Sequence, residues 1–127
     1  MARSAKDYVA EANGAVEKLD HEAARRKIEE GALALDVRDA NEVAASGTVP
    51  GAVNVSRGML EFRADPESPH HDERLRKDRE VVVFCASGGR AALAGKVLKE
   101  MGYEKVWTLG GFKDWTEAGG AVEPAGG

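Results

Sequence analysis

Apolar side chains recur along this chain with two periods, and the changes between them mark out the elements. Near the start, Val9, Ala12, Val16 and Leu19 stand three and four residues apart. That spacing predicts one apolar stripe on a helix of about four turns. Ser4 followed by Asp7 is a capping pair at its start, which places the helix over about 4–19. Asp20 caps a second helix, His21–Glu30, and Gly31 stops it. Ala32–Val37 is an apolar run of strand length. Asp39 with Glu42 forms another capping signature, predicting a helix near Ala40–Ala45. Pro50-Gly51 marks a turn, Ala52–Val55 a brief strand, and Arg57–Arg63 one or two helical turns. Ala64–Asp72 holds Pro66, Pro69, His70 and His71 and reads as a surface loop with solvated histidines. Glu73–Lys77 reads as a short helix, followed by a turn at Asp78-Arg79.

The strongest strand is Glu80–Cys85, whose valines and phenylalanine predict burial on both faces. Gly89–Met101 is a helix with Leu93, Val97, Leu98 and Met101 on one side, ended by Gly102. Val106–Leu109 is the last strand, broken by Gly110-Gly111, and Phe112–Ala118 a final helix burying Phe112 and Trp115. Gly119–Gly127, closing on Gly126-Gly127, reads as a frayed tail. Strands alternating with helices across short connections predict an α/β fold with a mainly parallel sheet. In such sheets ligands bind beyond the carboxyl ends of the strands.

Length and charge narrow the field. The 127 residues fit one domain, 1–127, and 43% hydrophobic residues are enough for a real core. A net charge of −4 argues against a nucleic-acid footprint. No apolar run approaches the roughly 20 residues of a membrane helix. One cysteine forms no internal disulfide, and the polar, charged start carries no secretory core, so the reducing cytoplasm is the expected compartment. No residue spacing suits a metal, and no cofactor is expected.

The chemistry concentrates at Val81–Arg90, where the chain's one cysteine ends an apolar strand. Ala86, Ser87, Gly88, Gly89 and Arg90 follow, and a helix begins. A thiol is thus delivered to a helix N-terminus, where N–H groups point outward and the dipole favours negative charge. Such surroundings favour the thiolate as the resting form. A cysteine at a strand end is by itself a small buried hydrophobe. Gly88, Gly89 and Arg90 in register reverse that reading, and Cys85 is expected to be a nucleophile. Four residues separate Cys85 from Arg90. Cysteine phosphatases place five there, to fit a tetrahedral phosphate, and the smaller ring suits a sulfur atom better. Asp36 and Arg38 read as a structural ion pair or hydrogen-bond network at a strand end, and Glu42 as a cap. Arg57 and Arg63 stand either at a pocket rim or on an exposed helix face. Trp107 and Trp115 read as core.

These residues resemble the rhodanese family. Asp36-Val37-Arg38, Glu42 and Gly47-Thr48-Val49-Pro50-Gly51-Ala52 are similar to its first signature, with Thr48 where histidine is usual and Val49 where isoleucine is. Cys85–Arg90 is similar to its active-site loop, and Gly102-Tyr103, Leu109–Phe112 and Trp115 to its ending. The similarity runs from about Asp20 to Glu117, a core of about 20–117. The resemblance implies a rhodanese-like α/β fold with helices on both faces of the sheet. It also implies a sulfurtransferase that moves a sulfane sulfur from a donor such as thiosulfate to a thiol or cyanide through a Cys85 persulfide. Acceptor proteins are possible partners; nucleic acid and membrane are not. Cys85 and Arg90 would be catalytic, and Ala86, Ser87, Gly88 and Gly89, with Arg57 and Arg63, would bind substrate. Backbone N–H groups from Ala86 to Arg90 and the Ser87 hydroxyl would face the sulfur, and Arg90 would steady loop carbonyls or bind an anion. Ala86 stands where members that favour thiosulfate often carry a basic residue. The alternative is a non-enzymatic rhodanese-like sulfur carrier, sensor or partner-docking module; such docking modules commonly lack the cysteine.

Overall fold

The computed structural model describes residues 2–125. Among these residues five strands form one sheet: β1 (Glu17–Lys18), β2 (Leu33–Asp36), β3 (Val53–Asn54), β4 (Val81–Cys85) and β5 (Val106–Gly111). All are parallel, in the order β1-β5-β4-β2-β3. Six helices among the described residues surround it: α1 (Ala5–Ala15), α2 (His21–Glu29), α3 (Ala40–Ser46), α4 (Leu60–Ala64), α5 (Gly89–Glu100) and α6 (Phe112–Glu117). A single 3₁₀ turn, Arg57–Met59, leads into α4. No helix among the described residues is long and apolar enough to cross a membrane.

Layers on both faces explain why β4, and β2 as far as Leu35, are apolar. Leu33, Leu35, Val81, Val83 and Cys85 face one layer, with Leu60 and Ala64 of α4 and Ala91, Ala94 and Leu98 of α5. Ala34, Val82 and Phe84 face the other, with Ala24 of α2 and Phe112 and Trp115 of α6. Both faces are dry, so the one charged side chain of these two strands, Asp36, stands at the carboxyl end of β2, where it finds hydrogen-bond partners.

Five local expectations are corrected. The first helix ends at Ala15 rather than near residue 19, because Val16 is extended and Glu17–Lys18 pair with Trp107 and Thr108. The Leu19 N–H donates to Thr108 O at 2.7 Å. Val16 and Leu19, joined by the helical stripe, lie on opposite faces of the sheet. Gly110-Gly111 does not break the last strand. The register shifts between Val83 and Phe84, Leu109 bulges out, and Gly110 at φ +88° carries the strand on to pair with Phe84.

Glu73–Lys77 forms turns, not a helix. The Asp72 carboxylate accepts the Arg74 backbone N–H at 3.0 Å and binds its guanidinium at 3.0 and 2.7 Å, a local geometry that competes with a helix. Those contacts hold the Asp72 carboxyl down at about 2. Leu75 is then driven into the core, and the His71 ring, half-buried rather than solvated, reaches Leu75 O at 3.1 Å. The glycine-rich tail is also anchored as far as it is described. Glu123 and Thr48 exchange backbone hydrogen bonds, each of 2.9 Å, and the Trp115 Nε1–H donates to Ala121 O at 2.7 Å. Gly47 (φ +78°) makes room for this strap, since a Cβ there would lie 2.7 Å from Glu123 O. Gly126 and Gly127 lie outside the described residues.

Tyr103 fastens the long connection before β4. Its hydroxyl donates to Ala64 O at 2.7 Å, with Leu75 O at 3.2 Å as a second acceptor. Burial, with Asp65 nearby, pushes its ionisation from 10.0 up to about 12. The folded state therefore holds its proton where the unfolded chain loses it, and stability declines as pH rises from 10.0 towards about 12. Tyr103→Phe leaves the carbonyls unmet and is expected to cost about 1–3 kcal/mol in urea unfolding. It also removes this alkaline decline; a variant as stable as the parent with an unchanged alkaline limb contradicts the assignment.

Candidate active site

Three sheet elements end side by side at the carboxyl edge, and each contributes one part of the site. The end of β2 supplies a buried charge network. The Asp36 carboxylate is fully buried and accepts the Arg38 Nε–H at 3.0 Å and the Arg38 Nη2–H at 2.7 Å, while Arg38 is 3% exposed. Arg38 also donates to Ser46 Oγ at 2.8 Å and to Gly47 O at 2.9 Å, and its guanidinium lies 4.5 Å from the centre of the Phe112 ring. Thr48 donates its hydroxyl to Asp36 at 2.8 Å. The buried carboxylate thus keeps a side-chain donor at this position although the residue is not histidine. The Asn54 amide ties β3 to the same corner through Asp36 O and Arg38 O.

The end of β4 supplies the thiol. Cys85 is 1% exposed and borders the apolar layer. Its Sγ nevertheless accepts two backbone hydrogen bonds, from Gly88 N–H at 3.0 Å and Ala91 N–H at 3.3 Å. Gly88 adopts φ +116°, which a side chain would strain, and this turns the chain back over the sulfur. Both amides belong to the opening of α5, so the hydrogen bonds and the helix dipole favour the same charge on sulfur. The expected donors are therefore met in part. Gly88 was within the anticipated loop, but Ala91 lies one residue beyond it, inside the helix. Ser87 is exposed, and its hydroxyl makes no bond to the sulfur.

The end of β5 supplies the support. A Cβ on Gly111 would lie 2.3 Å from Ala86 O and 2.9 Å from Ser87 Cα, so the loop rests directly on bare backbone. No other residue type fits there without moving the loop.

Arg90 turns to Glu42 of α3. Its two terminal nitrogens donate to the two carboxylate oxygens at 2.7 and 3.0 Å, and neither reaches a loop carbonyl. Glu42 does cap α3, accepting the Asp39 N–H at 3.0 Å, but it also clamps the sulfur loop from a position 48 residues away. Arg90, assisted by the Asp39 N–H, holds the Glu42 carboxyl down at about 2, and Glu42 makes the guanidinium proton harder to remove. Arg57 is bound to Glu61 at 2.9 Å. Arg63 lines a small cavity with Asn54, Ser56 and Met59, separate from the loop residues. The larger cleft touching Ser87, Gly88 and Gly89 is walled by α1 and β1, which the sequence reading did not connect with the site. Among the described residues no cluster of His, Cys, Asp and Glu is suited to a metal.

Comparisons with known proteins place the chain among rhodanese-like domains. The Rhodanese-like domain profile matches residues 20–118. A sulfurtransferase of Allochromatium vinosum is 30% identical over 107 residues, covering 82% of this chain and 92% of its own. A Bacillus subtilis protein, YrkF, provisionally named a sulfur carrier, is 28% identical over 90% of this chain, which spans only 58% of that longer relative. Among solved structures, a protein of unknown function and possible tyrosine phosphatase from Rhodopseudomonas palustris superposes with a TM-score of 0.89. It is 37% identical, covering 97% of this chain and 96% of its own.

Two substitutions test the charges around the loop. Thr48→Val keeps the side-chain shape and deletes the donor to Asp36, with an expected cost of about 1–3 kcal/mol in urea unfolding; an unchanged midpoint contradicts that role. The Glu42 carboxyl is lowered on folding, so its contribution is present above pH 4.5 and lost as pH falls towards about 2. Glu42→Gln is expected to flatten the acid limb of the stability curve in that window. An acid limb as steep as the parent's contradicts the clamp.

Proposed function

The chain belongs to the Rhodanese-like domain family, and from that premise we propose that it is a sulfurtransferase carrying sulfur as a persulfide on Cys85. The observation that carries this reading is the pair of N–H groups, from Gly88 and Ala91, converging on Sγ. They stabilise negative charge on that sulfur, the form needed for nucleophilic attack. In the first half-reaction the Cys85 thiolate attacks the outer sulfur of a donor such as thiosulfate. The Sγ–S bond forms, the donor's S–S bond breaks, and sulfite leaves with the electron pair. In the second, a thiolate or cyanide attacks the outer sulfur, and the electron pair of the broken bond returns to Sγ. Charge moves between sulfur atoms that lie against fixed amides, so little reorganisation is needed.

Arg90 acts through the loop: bound to Glu42, it pins the start of α5 and adds positive charge beside the sulfur. Gly88 and Gly89 shape the cradle, and Ala86 and Ser87 form its rim. Asp36 and Arg38 support it from β2. Arg57, bound to Glu61, and Arg63, on a separate cavity with Asn54 and Met59, lie apart from the loop, so a substrate-binding role for them gains no support from its geometry. A carrier role that passes the persulfide sulfur to a protein acceptor is the second reading, supported by the sulfur-carrier name of the Bacillus subtilis relative. A phosphatase reading gains nothing from the name of the Rhodopseudomonas structure, because the loop holds four residues between Cys85 and Arg90. The lone thiol suits a reducing cytoplasm.

Incubation with thiosulfate and cyanide is expected to yield thiocyanate with ping-pong kinetics, and intact mass is expected to show one added sulfur atom on the donor-treated protein. Cys85→Ser should abolish both. Turnover surviving in Cys85→Ser, or no sulfur gained from any of several sulfane donors, overturns the reading. Sulfur gained without turnover selects the carrier.

A further inference from the structure

The cleft of about 470 Å³ beside the sulfur loop is built from two sources. One wall is Ser87–Gly89 of the loop. The opposite wall comes from α1 and β1, through Asn13, Glu17 and Lys18, which precede the family-matched residues 20–118. Gly88 lines this cleft and also donates its N–H to Cys85 Sγ, so a single residue separates the cleft from the sulfur.

Lys18 lies at the mouth against Gly110, the neighbour of the glycine that supports the loop. A Cβ on Gly110 would lie 2.8 Å from Lys18 Cε and 3.1 Å from its Nζ, so the lysine stem lies across bare backbone. The Cβ position of Gly88 is 3.7 Å from Gly110 Cα, which brings loop and ammonium onto one support. Three cations nearer the strand ends are already bound at close range, Arg90 by Glu42, Arg38 by Asp36 and Arg57 by Glu61, and Arg63 lines a separate cavity. Lys18 has only Asp114, at 3.9 Å and with both side chains more than half exposed. A pair of that kind contributes little and exchanges readily. Glu17, the one carboxylate lining the cleft, opposes a simple anion there. The two charges together fit a ligand that bears one of each.

Resting on the persulfide reading above, we infer that this cleft is the acceptor subsite and selects small thiols bearing both a carboxylate and an ammonium group, the class of amino-acid and peptide thiols. Lys18 takes the carboxylate and Glu17 the ammonium. The acceptor thiolate attacks the outer sulfur of the Cys85 persulfide, a new S–S bond forms to the acceptor, and the Sγ–S bond breaks with its electron pair returning to Sγ. Lys18 and Glu17 are positioning residues and touch no reacting atom.

The test uses full-length protein loaded with sulfur and checked by intact mass. Its discharge is followed with cysteine, 3-mercaptopropionate, cysteamine and 2-mercaptoethanol. Each variant is compared with the parent thiol by thiol, which cancels differences in intrinsic nucleophilicity. For Lys18→Met the loss in second-order rate with cysteine and 3-mercaptopropionate is expected to exceed that with 2-mercaptoethanol about fivefold, the upper end for an exposed ion pair. The excess should shrink in high salt, and Lys18→Arg should show no such excess. For Glu17→Gln the excess loss should fall on cysteine and cysteamine. Equal losses with all four thiols, or a preference indifferent to salt, overturn the subsite while persulfide formation stands. A parent protein that gains no sulfur overturns the persulfide reading, and the subsite with it.

Discussion

The structure depends on one constraint: a sulfur atom at the end of a buried strand must be met by amide hydrogens rather than by carbonyl oxygens or hydrocarbon. Cys85 lies at the parity position of β4 that faces the apolar layer, where an unmodified strand end would leave the thiol as one more hydrophobe. The reversal at Gly88 changes its company. With φ +116° there, the chain folds back and starts α5 over the sulfur, and two amides that would otherwise be unpaired at a helix start find Sγ as acceptor. The same two hydrogen bonds satisfy the helix start and, in the proposed function, hold the attacking thiolate.

Holding that loop in place requires contacts from elements distant in sequence. From below, Gly111 lets β5 approach until only a hydrogen fits between it and Ala86. From the side, Glu42 grips Arg90 and couples the loop to α3. Alongside, α3 begins at Asp39, directly after the buried Asp36–Arg38 pair, and Thr48 and the Glu123 strap fix the loop that returns from α3. A buried ion pair is weak evidence for stability. Here it has all its partners, and its main effect is geometric: it defines where β2 stops and α3 begins, and so where Glu42 stands.

Most of the fold was legible because its signals are local. The β4 run, the glycines behind Cys85 and the capping residues Ser4, Asp20 and Asp39 all act within a few residues of themselves. What escaped reading is non-local or short. Strand β1 has two residues, and Val16 and Leu19 match a helical period while lying on opposite faces of a sheet. Glu42 satisfies a cap signature, so nothing in its neighbourhood announces Arg90. Gly110-Gly111 looks like a breaker because its use, close approach by Lys18 and by the sulfur loop, depends on chain segments far away in sequence. The donor from Ala91 was missed because the loop was expected to act alone, without the first turn of its helix. The 73–77 segment has helix-forming residues, but the Asp72–Arg74 interaction and the burial of Leu75 outweigh that propensity.

The most direct test of the account follows the two amides themselves. In a ¹H–¹⁵N correlation spectrum recorded while a sulfane donor loads the protein, the Gly88 and Ala91 resonances are predicted to move more than any others, in step with the gain of sulfur. Sulfur gained at Cys85 while those two amides stay in place would contradict the claim that they hold the reacting atom.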